Sequence, residues 1–133
     1  DHYGHQAGDN CLRAVADVLR KHARRSSDVV ARYGGEEFAV VVGDAFGPTY
    51  ELAETLRLAV EALAIEHAAS EKGIVSISLG VSSILPSIGG DPSILVKNAD
   101  LALYESKNNG RDRVSVRLAE PEDAASSAKG MPT

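Results

Sequence analysis

The chain has 133 residues and a formal charge of −5 from 14 Lys and Arg against 19 Asp and Glu. That is enough for one domain with its own core, and an acidic field of this sign does not favour adsorption to nucleic acid or anionic membrane. The longest apolar run, residues 38–42, is far short of the roughly 18 residues of a membrane helix, and the first ten residues carry no signal-peptide h-region. A single cysteine, Cys11, excludes an internal disulfide and Cys-based zinc motifs, and suits a cytoplasmic location.

In chain order, residues 9–24 carry a helical stripe of Leu12, Val15, Ala16, Leu19 and Ala23, with Asp9 or Asn10 placed as an N-cap after Gly8. Residues 29–33 and 36–42 read as strands around Gly34-Gly35, a pair that suits a type I′ turn. Thr49 can cap a second helix over 49–67, with Leu52, Leu56, Ala59, Val60 and Leu63 on one face. Residues 74–81 alternate as a strand, 93–108 read as a third helix ended by Gly110, and 113–117 as a last strand. From Ala119 on the sequence lacks aromatic and β-branched core formers until a terminal Thr, so 118–133 read as a disordered or packed-over tail behind a domain over 1–117. The order α-β-β-α-β-α-β predicts an α+β domain with a mostly antiparallel sheet flanked by helices.

The chemistry concentrates in Tyr33-Gly34-Gly35-Glu36-Glu37-Phe38. Glycines let a polyphosphate approach backbone N–H groups, and a neighbouring carboxylate can hold Mg²⁺ against that phosphate. Taken alone, the segment reads better as a solvated hairpin tip with exposed glutamates. Three more blocks accompany it: Tyr3-Gly4-His5-Gln6-Ala7-Gly8-Asp9, then Arg25-Ser26-Ser27-Asp28, then Ala99-Asp100-Leu101-Ala102-Leu103-Tyr104 followed by Lys107-Asn108-Asn109-Gly110-Arg111. With Ser78-Leu79-Gly80-Val81 between them, the order and spacing resemble a GGDEF domain of the diguanylate cyclase family, in its GGEEF form, over residues 1–117.

The resemblance implies a nucleotide-cyclase, palm-like fold with a ferredoxin-like core. It implies condensation of two GTP into cyclic di-GMP with release of pyrophosphate, using Mg²⁺ or Mn²⁺. Glu36 becomes the metal ligand and, with Glu37, the catalytic acid pair. Asp9 becomes the guanine reader. Gly34 and Gly35 lie along the triphosphate, Lys107 and Arg111 contact its distal phosphates, and Arg32 supports that region. Arg25 and Asp28 match the family's RxxD product-inhibition site. Its secondary arginine is in doubt, because Thr55 stands at that position and Arg57 two residues on.

Structural alternatives stand beside these roles. Asp9 can be only a cap, and RxxD can be a helix end plus a turn. Lys107 and Arg111 can serve only to complement a helix dipole, against a four-residue spacing that would let them point the same way from the helix end toward phosphate. His5 reads better as a structural hydrogen-bonding residue and Cys11 as a small core residue.

The family pattern also places a strand before this sequence, carrying a second metal acid, a Lys and an Asn that reads guanine. Without that strand the chain is expected to make little cyclic di-GMP alone, and the gap in its sheet to drive a homodimer, strand-exchanged or otherwise. The other expected partners are GTP, cyclic di-GMP and an upstream sensory or receiver domain, with any membrane anchor belonging to the parent protein. The competing reading is a GGDEF domain that senses cyclic di-GMP or GTP without making product.

Overall fold

The computed structural model describes residues 4–25, 28–43, 46–68, 70, 72–85 and 90–118, with side chains from residue 8 onward. The element order is α1 (Gly4–His22), β1 (Val29–Gly34), β2 (Glu37–Val41), α2 (Phe46–Ala62), β3 (Leu79–Val81), α3 (Ser93–Asn108) and β4 (Val114–Val116). This is the expected α+β order. The chain divides into two compact units, Asp1–Ile77 and Ser78–Thr133. The expected tail falls almost wholly outside the described residues.

In the first unit, α1 packs on α2. Val15, Ala16, Leu19 and Ala23 of the predicted stripe are buried, together with Val18. From α2 the buried residues are Ala53, Leu56 and Val60. Two boundaries differ from expectation. Helix α1 runs through Gly8 and begins at Gly4, so Asp9 and Asn10 lie inside it and neither is its N-cap. One interior glycine costs about 1 kcal/mol, which a long amphipathic face can outweigh. Helix α2 begins at Phe46, leaving Thr49 inside it, and stops at Ala62. Pro48 fits because the first helical turn needs no N–H partner. Beyond the helix Leu63 is 40% exposed and Ala64 takes a φ of 53°, so the helical path ends there.

β1 and β2 form an antiparallel hairpin from Val29↔Val41 to Gly34↔Glu37, with a register shift that leaves Tyr33 as an extra residue. Only Gly35 of the glycine pair has positive φ, 39°. The turn is therefore centred on Gly35-Glu36, with the φ pattern of a type II′ rather than the expected type I′ turn. Both sheets are two-stranded. The outer pair Val29 and Val41 is 53% and 55% exposed.

The predicted strand 74–81 splits. Val75 donates its N–H to Ile65 O (2.8 Å) beside a Glu66–Ile74 bridge, within the first unit. Leu79–Val81 instead pairs in parallel with β4 in the second unit. There β3 lies against α3, and at Gly80 any Cβ would run into Leu103 N and Ala99 O. The buried Ser106 of α3 donates to Leu79 O (2.7 Å) and shares a hydrogen bond with Ser115 Oγ (2.7 Å), tying helix to both strands. None of the described helices is long and apolar enough to cross a membrane.

Candidate functional site

The hairpin tip is built by its own residues. The Arg32 guanidinium donates from Nε (2.9 Å) and from a terminal nitrogen (2.6 Å) to the Gly35 carbonyl. That two-point contact fixes the turn and leaves Glu36 at its apex. Glu36 and Glu37 are both exposed, as are Gly34 and Gly35. At Gly34 and Gly35 a Cβ would meet no atom of the described residues within 4 Å, so among them the backbone there is open to an approaching group.

Across from the hairpin stands α1. Burial pushes the Cys11 thiol above its ordinary pKa, and the negative charge of Glu36 pushes it further the same way. The Glu36 carboxylate is thus within electrostatic reach of the second turn of α1, where Asp9 also sits. This placement has a direct check. Thiolate is the reactive form, so a raised pKa slows alkylation at about pH 8, and Glu36→Gln should speed it. An unchanged labelling rate would show that the charge does not reach the thiol.

A cavity of about 320 Å³ opens between α1 and the hairpin, with Leu12, Ala16, Val30 and Phe38 as its apolar walls. Its polar lining is Asp9, Arg13, Arg20 and Arg32. Asp9 and Arg32 were expected in one site and the cavity brings them together. Arg13 and Arg20 were missed, although Asp9, Arg13 and Arg20 stand at i, i+4 and i+11 on α1, one face of the helix.

Among the described residues no three His, Cys, Asp or Glu side chains gather as a metal cluster. Glu36 nevertheless fits a divalent cation in part. Mg²⁺ is commonly held by one or two carboxylates, waters and substrate phosphates, and an exposed carboxylate beside an open glycine backbone leaves room for both.

In the second unit, the expectation that Lys107 and Arg111 point together from one helix end does not hold. Lys107 is in the last turn of α3, but the helix stops at Asn108. Gly110 has φ 119° and Arg111 donates its N–H to Ser106 O (2.8 Å), which closes the helix as a Schellman motif. Arg111 lies beyond it at φ 63°, followed by Asp112 at φ 46°. Two successive non-glycine residues in the left-handed region cost roughly 1–3 kcal/mol each. The Asp112 N–H finds a partner in Ser78 Oγ (3.2 Å). The exposed Arg111 side chain is thus carried on a strained, hydrogen-bonded corner.

At the expected inhibitory site, Asp28 closes a turn. Its Oδ2 accepts from Arg25 N–H (3.2 Å), and its own N–H donates to Arg25 O (2.9 Å). The turn presents Arg25 on the surface, while Asp28 Oδ1 is buried without a partner among the described residues. Ser26 and Ser27 lie outside the described residues, as do Tyr3 and the His5 side chain. Arg57 is committed elsewhere, to Glu54 (2.7 Å) and Glu61 (3.6 Å), with 17% of its side chain exposed.

Comparison with known proteins shows the family of this chain. The family model described as diguanylate cyclase, GGDEF domain, matches residues 1–113. Diguanylate cyclase A of Treponema denticola is 44% identical over 117 residues, 87% of this chain and 31% of that protein. The response regulator PleD of Caulobacter vibrioides is 37% identical over 121 residues, 90% of this chain and 26% of that protein. The chain thus spans about a third or less of the curated relatives named here. Among solved structures, the GGDEF domain of DgcB from Caulobacter crescentus in complex with c-di-GMP is similar at a TM-score of 0.75 and 34% identity, covering 87% of this chain and 68% of that one. The active GGEEF domain of a diguanylate cyclase from Vibrio cholerae follows at a TM-score of 0.71 and 30% identity, covering 90% and 74%.

Proposed function

The chain belongs to the GGDEF, diguanylate cyclase, domain family, and from that membership we propose that it is the nucleotidyl-transfer domain of a cyclase that joins two GTP into cyclic di-GMP. The observation that carries the reading is the hairpin tip, where Arg32 braces a glycine turn that presents Glu36 beside open backbone.

In this proposal Asp9 accepts from the guanine N1–H and N2 amine at the mouth of the cavity. Gly34 and Gly35 let the triphosphate lie on the hairpin, and Arg32 holds the turn that positions it. Lys107 and Arg111 bring positive charge to the distal phosphates. Glu36 would hold Mg²⁺ or Mn²⁺, which when bound supplies charge neutralisation at the reacting phosphate. Glu37 helps orient the attacking 3′-hydroxyl. The 3′-oxygen of each GTP loses its proton and joins the α-phosphorus of the other, and each of the two steps breaks one α-phosphorus–oxygen bond and releases one pyrophosphate. One domain binds one GTP, so two copies must face each other. A cytoplasmic setting supplies GTP.

Incubation with GTP and Mg²⁺, followed by separation of nucleotides, tests the reading. Cyclic di-GMP and pyrophosphate are expected from a form that also carries the strand the family pattern places before this sequence. Cyclic di-GMP binding by that form without synthesis would favour the sensor reading instead.

The turn at Arg25–Asp28 supports a separate product site. Arg25→Ala should weaken cyclic di-GMP binding about tenfold to a hundredfold, the range of a hydrogen bond to a charged group, and relieve inhibition by product. Calorimetry decides it, and an unchanged affinity would leave the tetrad as a helix end and a turn.

A further inference from the structure

Three guanidinium groups line the cavity between α1 and the hairpin, and two of them are committed. Arg20 pairs with Asp17 at 3.0 Å, and Arg32 is spent on the Gly35 carbonyl. The Arg13 side chain has no hydrogen-bonding or ionic partner among the described residues, and neither has the side chain of Asp9 one turn before it. An Asp and an Arg four residues apart on a helix have their Cβ atoms about 6 Å apart and are usually free to pair. Here both stand open on the same cavity, with Leu12 and Phe38 among its apolar walls.

Side by side, these two groups present two acceptor oxygens and then a fork of N–H donors above an apolar slot. Guanine presents the complementary row along one edge: the N2 amine and N1–H as donors, then O6 as acceptor. Adenine reverses the pattern, with an N6 amine where O6 stands and no proton on N1. Arginine donating to guanine O6 is also the commonest base-specific contact that proteins make. We propose that Arg13 is a second base-reading residue of this nucleotide site, donating to O6 of the guanine whose N1–H and N2 amine are held by Asp9. The inference rests on the nucleotide reading of the cavity and adds to it a determinant of guanine against adenine and its analogues.

The test is a cycle of two ligands and four proteins, read by calorimetry on this chain. The ligands are GTP and 2,6-diaminopurine riboside triphosphate, which keeps the N2 amine and the triphosphate but carries an amine in place of O6 and no proton on N1. The proteins are the wild type, Arg13→Ala, Arg13→Lys and Asp9→Asn. Wild-type protein should prefer GTP, and Arg13→Ala should cut that preference about tenfold or more, as expected for loss of a specific base contact. Arg13→Lys, which keeps the charge without the fork, should recover part of it. Arg13→Ala weakening both ligands equally would overturn the inference, because Arg13 would then act as a charge near phosphate. Asp9→Asn separates the two layers of the argument. If it weakens GTP while Arg13→Ala leaves the preference unchanged, the cavity is a guanine site and Arg13 is not its reader. If neither substitution changes GTP binding, the nucleotide reading of the cavity falls, and the inference with it. Arg13 is exposed, so both variants should keep the wild-type circular dichroism spectrum.

Discussion

Glu36→Gln is expected to lower cyclic di-GMP synthesis about a thousandfold, roughly 4 kcal/mol of transition-state stabilisation, with the fold intact. The change keeps the shape of the side chain and removes its charge at an exposed turn apex, where no packing depends on it. The charge is what a divalent cation would need from this residue. Turnover should be measured with GTP and Mg²⁺ in a form that carries the preceding family strand, and the same sample should show the hairpin intact by circular dichroism. Near wild-type turnover would remove Glu36 from the mechanism. A large loss accompanied by unfolding would mean that the tip is structural.

Gly80→Ala should destabilise the second unit by about 3 kcal/mol or more, at the upper end of what overpacking costs. A methyl group there meets the backbone of α3 at Leu103 N and Ala99 O, and backbone in mid-helix cannot swing aside as a side chain can. The strand would have to leave the helix. That movement would stretch the bond from Ser106 to Leu79 O and disturb the parallel pairing of β3 with β4. Urea unfolding followed by circular dichroism reads the loss as a lower midpoint. A midpoint unchanged from wild type would show that β3 and α3 lie farther apart than described.

Much of this was legible in the residues. The stripe on α1, the glycine hairpin and the bounds of α3 follow from periodicity and turn chemistry, because each depends on neighbours a few positions away. The misjudged places depend on distant partners. Gly8 followed by Asp9 reads as a helix start, but local cap chemistry is worth only about 1 kcal/mol, and the buried face of α1 outweighs it. Residues 74–81 alternate as one strand, yet the two ends find different partners, Ile65–Glu66 and Val114–Val116. Lys107 and Arg111 look like an i, i+4 pair until Gly110 turns the chain between them. Arg13 of the cavity lining is hard to pick out from the residues, because it flanks the apolar stripe of α1. Its position four residues after Asp9 was the available signal. Why Gly80 must be glycine is invisible without α3 beside it.

The paired glycines of the hairpin turn out to be unlike each other. Gly35 is required by the chain itself, because its φ of 39° is one that a side chain rarely accepts. Gly34 has no such need: its φ lies outside the left-handed region, and a methyl group there would touch nothing within 4 Å. Among the described residues nothing gives a reason to forgo alanine at that place. In the proposed site the bare backbone at Gly34 serves a triphosphate laid against it, which a methyl group would hold off. Natural or engineered variants should therefore divide: those altered at Gly35 lose the shape of the tip, while those altered at Gly34 fold normally and are excluded only by what they can no longer hold.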